Sequence, residues 1–234
     1  MRLGHYQGWK KPVVFYLVAH SYHSVIRMEL LTSQHSRSAV FLDRDGVINE
    51  MVYNPEFGLV DSPANPKEFT LLPGVGDAVR KLNLMGVLVI VVSNQPGVAK
   101  GRYSLALHNA MTEKMHLELT QAGAKLDAVY YCLHHPEAKL AEYHKVCECR
   151  KPKPGMLWQA VRDWNINLPS SYLIGDGVTD IVAGQAVGVS TVFVGSYKPY
   201  ILNELDKQNA HPDYFVNDLT DAVETLQKMG RHYE

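Results

Sequence analysis

The chain has 234 residues, of which 46% are hydrophobic and 20% charged, a balance that excludes disorder as its main state and admits one large domain, alone or with an appendage. Its formal net charge of -1 creates no global field towards nucleic acid or an acidic membrane. Three cysteines are too few, and odd in number, for a disulfide framework.

Taken in chain order, the first segment is the odd one. Residues 1–38 carry Arg2, Lys10, Lys11, Arg27 and Arg37 against Glu29. The apolar run Val13 to Ala19 is far shorter than the roughly 20 residues of a membrane span. It is also short for a signal-peptide core, and His20 breaks it. This segment is expected to be a basic, weakly ordered extension lying away from any chemistry, with Met28 an alternative start. The competing expectation is that Val13 to Ala19 packs as an added strand or helix. No later stretch reads as a transmembrane segment.

From Ala39 the elements become legible. Ala39 to Leu42 reads as a buried strand opening into the polar loop Asp43-Arg-Asp-Gly46. A Pro/Asn/Gly-rich insert, Met51 to Leu72, is too short for a cap domain. Asp77 to Leu84 reads as a helix stopped by Gly86. Val87 to Val92 is an unbroken apolar run and reads as a strand buried on both faces. Ser104 caps a helix over 105–122, closed by Gly123. Further strands are expected at 128–132, 172–174, 191–194 and 214–216, with helices at 155–164, 180–187 and 219–229. The alternation predicts an α/β fold, a Rossmann-like parallel sheet with helices on both faces, over residues 39–229. Residues 230–234 remain as a tail.

In such sheets ligands bind beyond the carboxyl ends of the strands. Asp43 and Asp45 follow the first strand of this unit, Ser93 and Asn94 the second, and Asp176 the strand at 172–174. Asp-x-Asp by itself is more often a turn former than a site. Buried together, however, Asp43, Asp45, Asp176 and Asp180 would repel one another, and a divalent cation is the simplest offset. The four carboxylates sum to -4; Lys151 returns +1 and Mg²⁺, favoured by oxygen-only ligands, returns +2. A phosphate dianion would still be repelled, so one carboxyl is expected to be protonated when substrate binds, as a general acid requires. All three cysteines lie between 132 and 149. Cys132-Leu-His134 and Cys147-Glu-Cys149 form a set suited to tetrahedral structural Zn²⁺, which would hold a polar loop lacking a core of its own. Thiolate ligands imply a reducing compartment and hence the cytoplasm.

The segments Phe-Leu-Asp-Arg-Asp-Gly-Val-Ile-Asn (41–49), Ser-Asn-Gln-Pro-Gly-Val (93–98), Arg-Lys-Pro-Lys-Pro-Gly-Met (150–156) and Ile-Gly-Asp-Gly-Val-Thr-Asp-Ile (174–181) together resemble the haloacid dehalogenase-like phosphatases. The resemblance is greatest to the branch of the heptose 1,7-bisphosphate 7-phosphatases and histidinol-phosphatases, and covers about residues 39–229. It implies Asp43 as nucleophile, forming an aspartyl-phosphate, and Asp45 as general acid and then base. It implies Mg²⁺ on Asp43, the Asp45 carbonyl and Asp176. Ser93 and the Asn94 amide would hold the phosphoryl oxygens, and Lys151 would neutralise charge. Asp180 would orient the metal shell or Lys151, unless it is only a helix N-terminal acid. The same branch pattern favours His134 over the adjacent His135 as zinc ligand, so that zinc would set the position of Lys151.

Arg150 is the candidate for a second anionic group on the substrate. Gly177 departs from the branch, whose best-known heptose bisphosphate phosphatases carry a lysine there. The expected activity is a Mg²⁺-dependent phosphomonoesterase removing the 7-phosphate of D-glycero-D-manno-heptose 1,7-bisphosphate for lipopolysaccharide or surface-glycan precursors. The enzyme is expected to be a monomer with no nucleic-acid or membrane partner. Histidinol phosphate is the alternative substrate and a polynucleotide 3′-phosphate a distant third. A non-catalytic binding protein on the same fold is the alternative class.

Overall fold

A computed structural model describes residues 13–16, 36–55, 58–196 and 198–230. Seven parallel strands form one sheet: β1 (Val13–Tyr16), β2 (Ala39–Leu42), β5 (Leu88–Asn94), β6 (Ala128–Cys132), β7 (Tyr172–Gly175), β8 (Ser190–Val194) and β9 (Tyr214–Val216), in the order β1-β6-β5-β2-β7-β8-β9. A separate antiparallel hairpin, β3 (Val52–Asn54) and β4 (Leu59–Asp61), sits in the expected insert. The helices are α1 (Val75–Leu84), α2 (Leu105–Gln121), α3 (Gly155–Trp164), α4 (Val178–Val187), α5 (Pro199–Lys207) and α6 (Leu219–Gly230).

The six strands expected from Ala39 onwards are all present. Differences fall at the edges. In the basic head, Val13–Tyr16 pairs with β6 as an added edge strand, which is the competing expectation for that run; the rest of 1–35, like 231–234, lies outside the described residues. The helix α5 was not anticipated, although Ile201 and Leu205 stand at helical spacing.

Strand β2 is central, with β5 on one side and β7 on the other. Its side chains alternate between two cores: Val40 and Leu42 pack with α1, α2 and α6, while Ala39 and Phe41 pack with α3 and α4 residues. Strand β5 divides in the same way, with Val89 and Val91 on one face and Leu88, Ile90 and Val92 on the other. Burial on both faces is why these strands read as continuous apolar runs. Each such Val, Leu or Phe contributes about 1.5–3 kcal/mol on removal from water. Ser104 caps α2 as expected, its hydroxyl accepting from the Leu107 N–H at 3.2 Å.

One core residue should make the fold acid-sensitive. His108 on α2 is 0% exposed, edge-on to Tyr131 at 4.7 Å and stacked near Tyr103. Burial, aided by the Arg44 charge, pushes its imidazole down to about 3. The unfolded chain therefore takes up this proton near pH 6.5 and the folded one does not, so stability is lost as pH falls from 6.5 towards 3. Between pH 7 and 5 the loss is about 2 kcal/mol. Urea midpoints at the two pH values should show this extra loss in the wild type and lack it in His108→Phe.

Candidate active site

The strand order gathers the polar ends of β2, β5 and β7. Asp43 follows β2 directly, and its backbone N–H donates to the Ile174 carbonyl of β7 at 2.9 Å. The Lys151 ammonium, 4% exposed, reaches the same point from a distant loop. It donates to Asp43 Oδ1 at 2.7 Å, to the Val92 carbonyl at 2.8 Å and to Asp180. Burial opposes its charge, but Asp180 and Asp43 outweigh that and hold the ammonium above its usual range. Asp180 is bound twice. One carboxylate oxygen takes Lys151 and the other accepts the Gly177 N–H at the start of α4 at 3.1 Å. The two readings of Asp180, helix-end acid and partner of Lys151, therefore both describe it.

Asp43, Asp176 and Asp180 each offer an oxygen, and these atoms lie within 4.8 Å of one another. Burial, then the charges of Asp43 and Asp180, push Asp176 up to about 8; burial raises Asp180 to about 6 against the pull of Lys151. The cluster is short of positive charge, and an all-oxygen set of this kind fits a hard divalent cation. Gly46 completes the cradle. Its φ is +84°, and a Cβ there would run into the Asp176 carboxylate, so only glycine brings the β2 loop this close.

Asp45 is held quite differently. Arg44, 0% exposed, folds back on it, with Nε at 3.1 Å and Nη2 at 2.9 Å from Oδ1. Asn49 Nδ2 donates to Oδ1 at 2.9 Å and Gln95 Nε2 to Oδ2 at 2.6 Å. Burial pushes the carboxyl up, but Arg44 and these donors outweigh it and hold it below the usual carboxylate range. The expected charge sum omitted Arg44; with it, the four carboxylates, Lys151 and a divalent cation come to zero. In this substrate-free geometry Asp45 is held ionised, and the carboxyl pushed towards protonation is Asp176.

Ser93 lies at the end of β5, 1% exposed, with Gln95 Nε2 donating to its Oγ at 3.1 Å. The Asn94 side chain is clasped to the Lys151 main chain. It donates to the carbonyl and accepts from the N–H, both at 3.0 Å. Of the Asn94 groups, the main-chain amide is the one the expectation named.

Cys132, His134, Cys147 and Cys149 converge as the spacing implied, while His135 makes only local contacts, bonding Glu137 and pairing with His144. The sulfurs are 3.2 to 3.5 Å apart, and His134 Nδ1 is 3.2 Å from Cys149 Sγ and 3.9 Å from Cys132 Sγ. These separations approach the edges of a tetrahedron with metal–sulfur bonds of about 2.3 Å, roughly 3.8 Å. Hydrogen bonding to Cys132 holds the Cys147 thiol well below its usual range, while the same contact pushes Cys132 up to about 12 and Cys149 is raised too. Three thiolates so close need a cation before all can lose their protons. Arg150 Nη1 donates to the His134 carbonyl at 3.4 Å, tying that arginine to the cluster loop.

Beside Asp176 and Gly46 a cavity of about 210 Å³ opens, lined also by Ser196, Lys198, Tyr200 and Asn217. Lys198 follows strand β8, whose end carries no motif, so the sequence gives no sign of it. On the other side Arg102 pairs with Asp61, joining the loop after β5 to hairpin β3–β4.

A family model described as HAD-hydrolase-like matches residues 148–222. The D-glycero-beta-D-manno-heptose-1,7-bisphosphate 7-phosphatase of Escherichia coli K12 is 39% identical over 194 residues, spanning 82% of this chain and 95% of that protein. The chain belongs to the haloacid dehalogenase-like phosphatases. The Yersinia pestis protein of the same name is 37% identical over 190 residues, spanning 81% and 95%. The crystal structure of D,D-heptose 1,7-bisphosphate phosphatase from B. bronchiseptica, complexed with magnesium and phosphate, superposes with a TM-score of 0.68 at 30% identity, covering 82% of this chain and 99% of that one. Membership of this phosphatase family makes the chain a phosphoric monoester hydrolase and sets aside the non-catalytic alternative. Among the described residues no helix is long and apolar enough to cross a membrane.

Proposed function

We propose that this phosphatase removes the 7-phosphate of D-glycero-D-manno-heptose 1,7-bisphosphate, feeding lipopolysaccharide or surface-glycan precursors, with Asp43 as nucleophile. The observation that carries the assignment of Asp43 is the buried Lys151 ammonium on its Oδ1 at 2.7 Å. That contact fixes the carboxylate, leaving Oδ2 to attack phosphorus. Phosphoryl transfer then requires little beyond alignment and charge neutralisation, which Lys151 provides, with Asp180 and Asn94 holding Lys151 from either end. The Ser93 hydroxyl and Asn94 amide donate to the phosphoryl oxygens. Asp45, ionised in the free site, must take up a proton as substrate binds; it then delivers that proton to the departing sugar oxygen and later withdraws one from the water that cleaves the aspartyl-phosphate.

Asp43, Asp176 and the Asp45 carbonyl would hold Mg²⁺, which when bound supplies positive charge to the phosphoryl oxygens. Cys132, His134, Cys147 and Cys149 would hold Zn²⁺, which supplies rigidity to the loop that ends in Arg150 and Lys151. Arg150 and Lys198 are the cations available to a second phosphate, in place of the one absent at Gly177. Residues 39–229 form the catalytic unit, monomeric and cytoplasmic, with 1–38 an appendage.

Phosphate release with Mg²⁺ from the heptose 1,7-bisphosphate, the heptose 7-phosphate and histidinol phosphate tests the substrate. The bisphosphate is expected to exceed both others in kcat/KM by at least about tenfold, the worth of one further charge-assisted contact. A preference for histidinol phosphate would overturn the heptose reading.

A further inference from the structure

Gln95 has been given no part in the chemistry, yet it touches two groups that have one. It is 0% exposed. Its Nε2 lies 2.6 Å from Asp45 Oδ2 and 3.1 Å from Ser93 Oγ, while Tyr103 Oη donates to its Oε1 at 3.3 Å. The orientation of the amide follows from valence. An ionised carboxylate only accepts, so the nitrogen must face Asp45. The two amide protons are then both assigned, one to Asp45 and one to Ser93. A hydroxyl oxygen that accepts from Gln95 keeps its own proton free for another acceptor, which in the proposed reaction is the phosphoryl group.

Tyr103 locks the arrangement from behind. Its ring lies against Gly97, where any Cβ would overlap it, and its hydroxyl donates to the Gln95 side-chain oxygen. Gln95, Gly97 and Tyr103 thus form one rigid turn after β5, whose output is a single amide nitrogen placed between the acid/base and the phosphoryl-binding hydroxyl.

We propose that Gln95 is a positioning residue for the reaction: its amide fixes the Asp45 carboxylate and the donor direction of the Ser93 hydroxyl relative to each other, with Tyr103 fixing the amide. This rests on the roles given above to Asp43, Asp45 and Ser93. Loss of the amide should therefore matter most where proton delivery to the leaving oxygen matters most. An alkyl phosphate needs that proton; a p-nitrophenyl phosphate, with its stable leaving group, needs it far less. A residue important only for folding would lower both equally.

The test uses the full chain with Mg²⁺ and compares kcat/KM for the sugar phosphate and for p-nitrophenyl phosphate, since this ratio reports the step that forms the aspartyl-phosphate. Gln95→Leu should lose about 30-fold or more on the sugar phosphate and about fivefold or less on the aryl ester. Tyr103→Phe should show the same contrast, about threefold or more, and should add less than twofold in the Gln95→Leu background. If Gln95→Leu fails to fold, Tyr103→Phe decides alone. Equal losses on the two esters, or activity unchanged by either substitution, would overturn the proposal. Asp43→Asn is the control. If it retains activity, the underlying mechanism has failed; if it is inactive while Gln95→Leu behaves as wild type, only the role of Gln95 has failed.

Discussion

Asp43→Asn is expected to lower phosphate release by about 10⁴-fold or more, the scale seen when a nucleophile is removed from an otherwise intact site. The fold should survive. Lys151 keeps its Asp180 and Val92 partners, and the substitution removes one of three crowded carboxylates. Tm is therefore expected within a few degrees of wild type, and no phosphorylated protein should be trapped. Asp45→Asn should differ in both respects. It leaves the fully buried Arg44 guanidinium without its counter-charge, a loss of about 3–5 kcal/mol, while Asp43 remains able to accept phosphate. Mass spectrometry after a quench should then find phosphoenzyme in Asp45→Asn only. Ordinary turnover by Asp43→Asn would dispose of the mechanism.

Removing the metal from the Cys/His cluster should have the second largest effect. Elemental analysis is expected to find close to one zinc per chain at this site. Structural zinc binds small domains with about 10–16 kcal/mol. If even a third of that stabilises this loop, about 4 kcal/mol is lost on chelation. Tm should then fall by about 8–16 °C for a chain of this size. Loosening should begin at 132–149, read as hydrogen exchange or as alkylation of Cys147 and Cys149, before the sheet melts. Activity should go with it, because Cys149 stands two residues from Lys151 and Arg150 leans on the His134 carbonyl. A zinc-free protein with those cysteines freely alkylated in the native state would contradict this.

Much of this molecule was legible because its information is local. A strand buried on both faces writes itself as Val-Leu-Val-Ile-Val-Val, and a turn at its end as Ser-Asn-Gln-Pro-Gly. The parallel topology then brings Asp43, Ser93 and Asp176 to one edge without knowledge of any side-chain contact. What escaped was of two kinds. Strands β3 and β4 have three residues each, too few to show a period, and β1 lies in a segment whose charges suggested an appendage. The other kind is direction. Nothing in Asp-Arg-Asp says that the arginine turns inward between Phe69 and Tyr131 to neutralise the second aspartate. The two carboxylates were therefore pooled in one charge sum, whereas in the fold one belongs to Lys151 and the other to Arg44. Gln95 escaped for the same reason, a polar residue in a turn giving no sign of which way it points.

The strand order has a consequence for synthesis. Strand β2 is made early, yet its second neighbour, β7, begins at Tyr172, and Asp43 is pinned by Ile174 and by Lys151, which Asp180 in turn holds. A ribosome-bound chain that has not yet released residue 151 leaves Asp43 with no lysine, no counter-strand and no third carboxylate beside it. At about 5–20 residues per second, that condition lasts for several seconds in every round of translation. With the site roles proposed above, hydrolytic competence is therefore expected to arrive late, only when the sheet closes on both sides of β2.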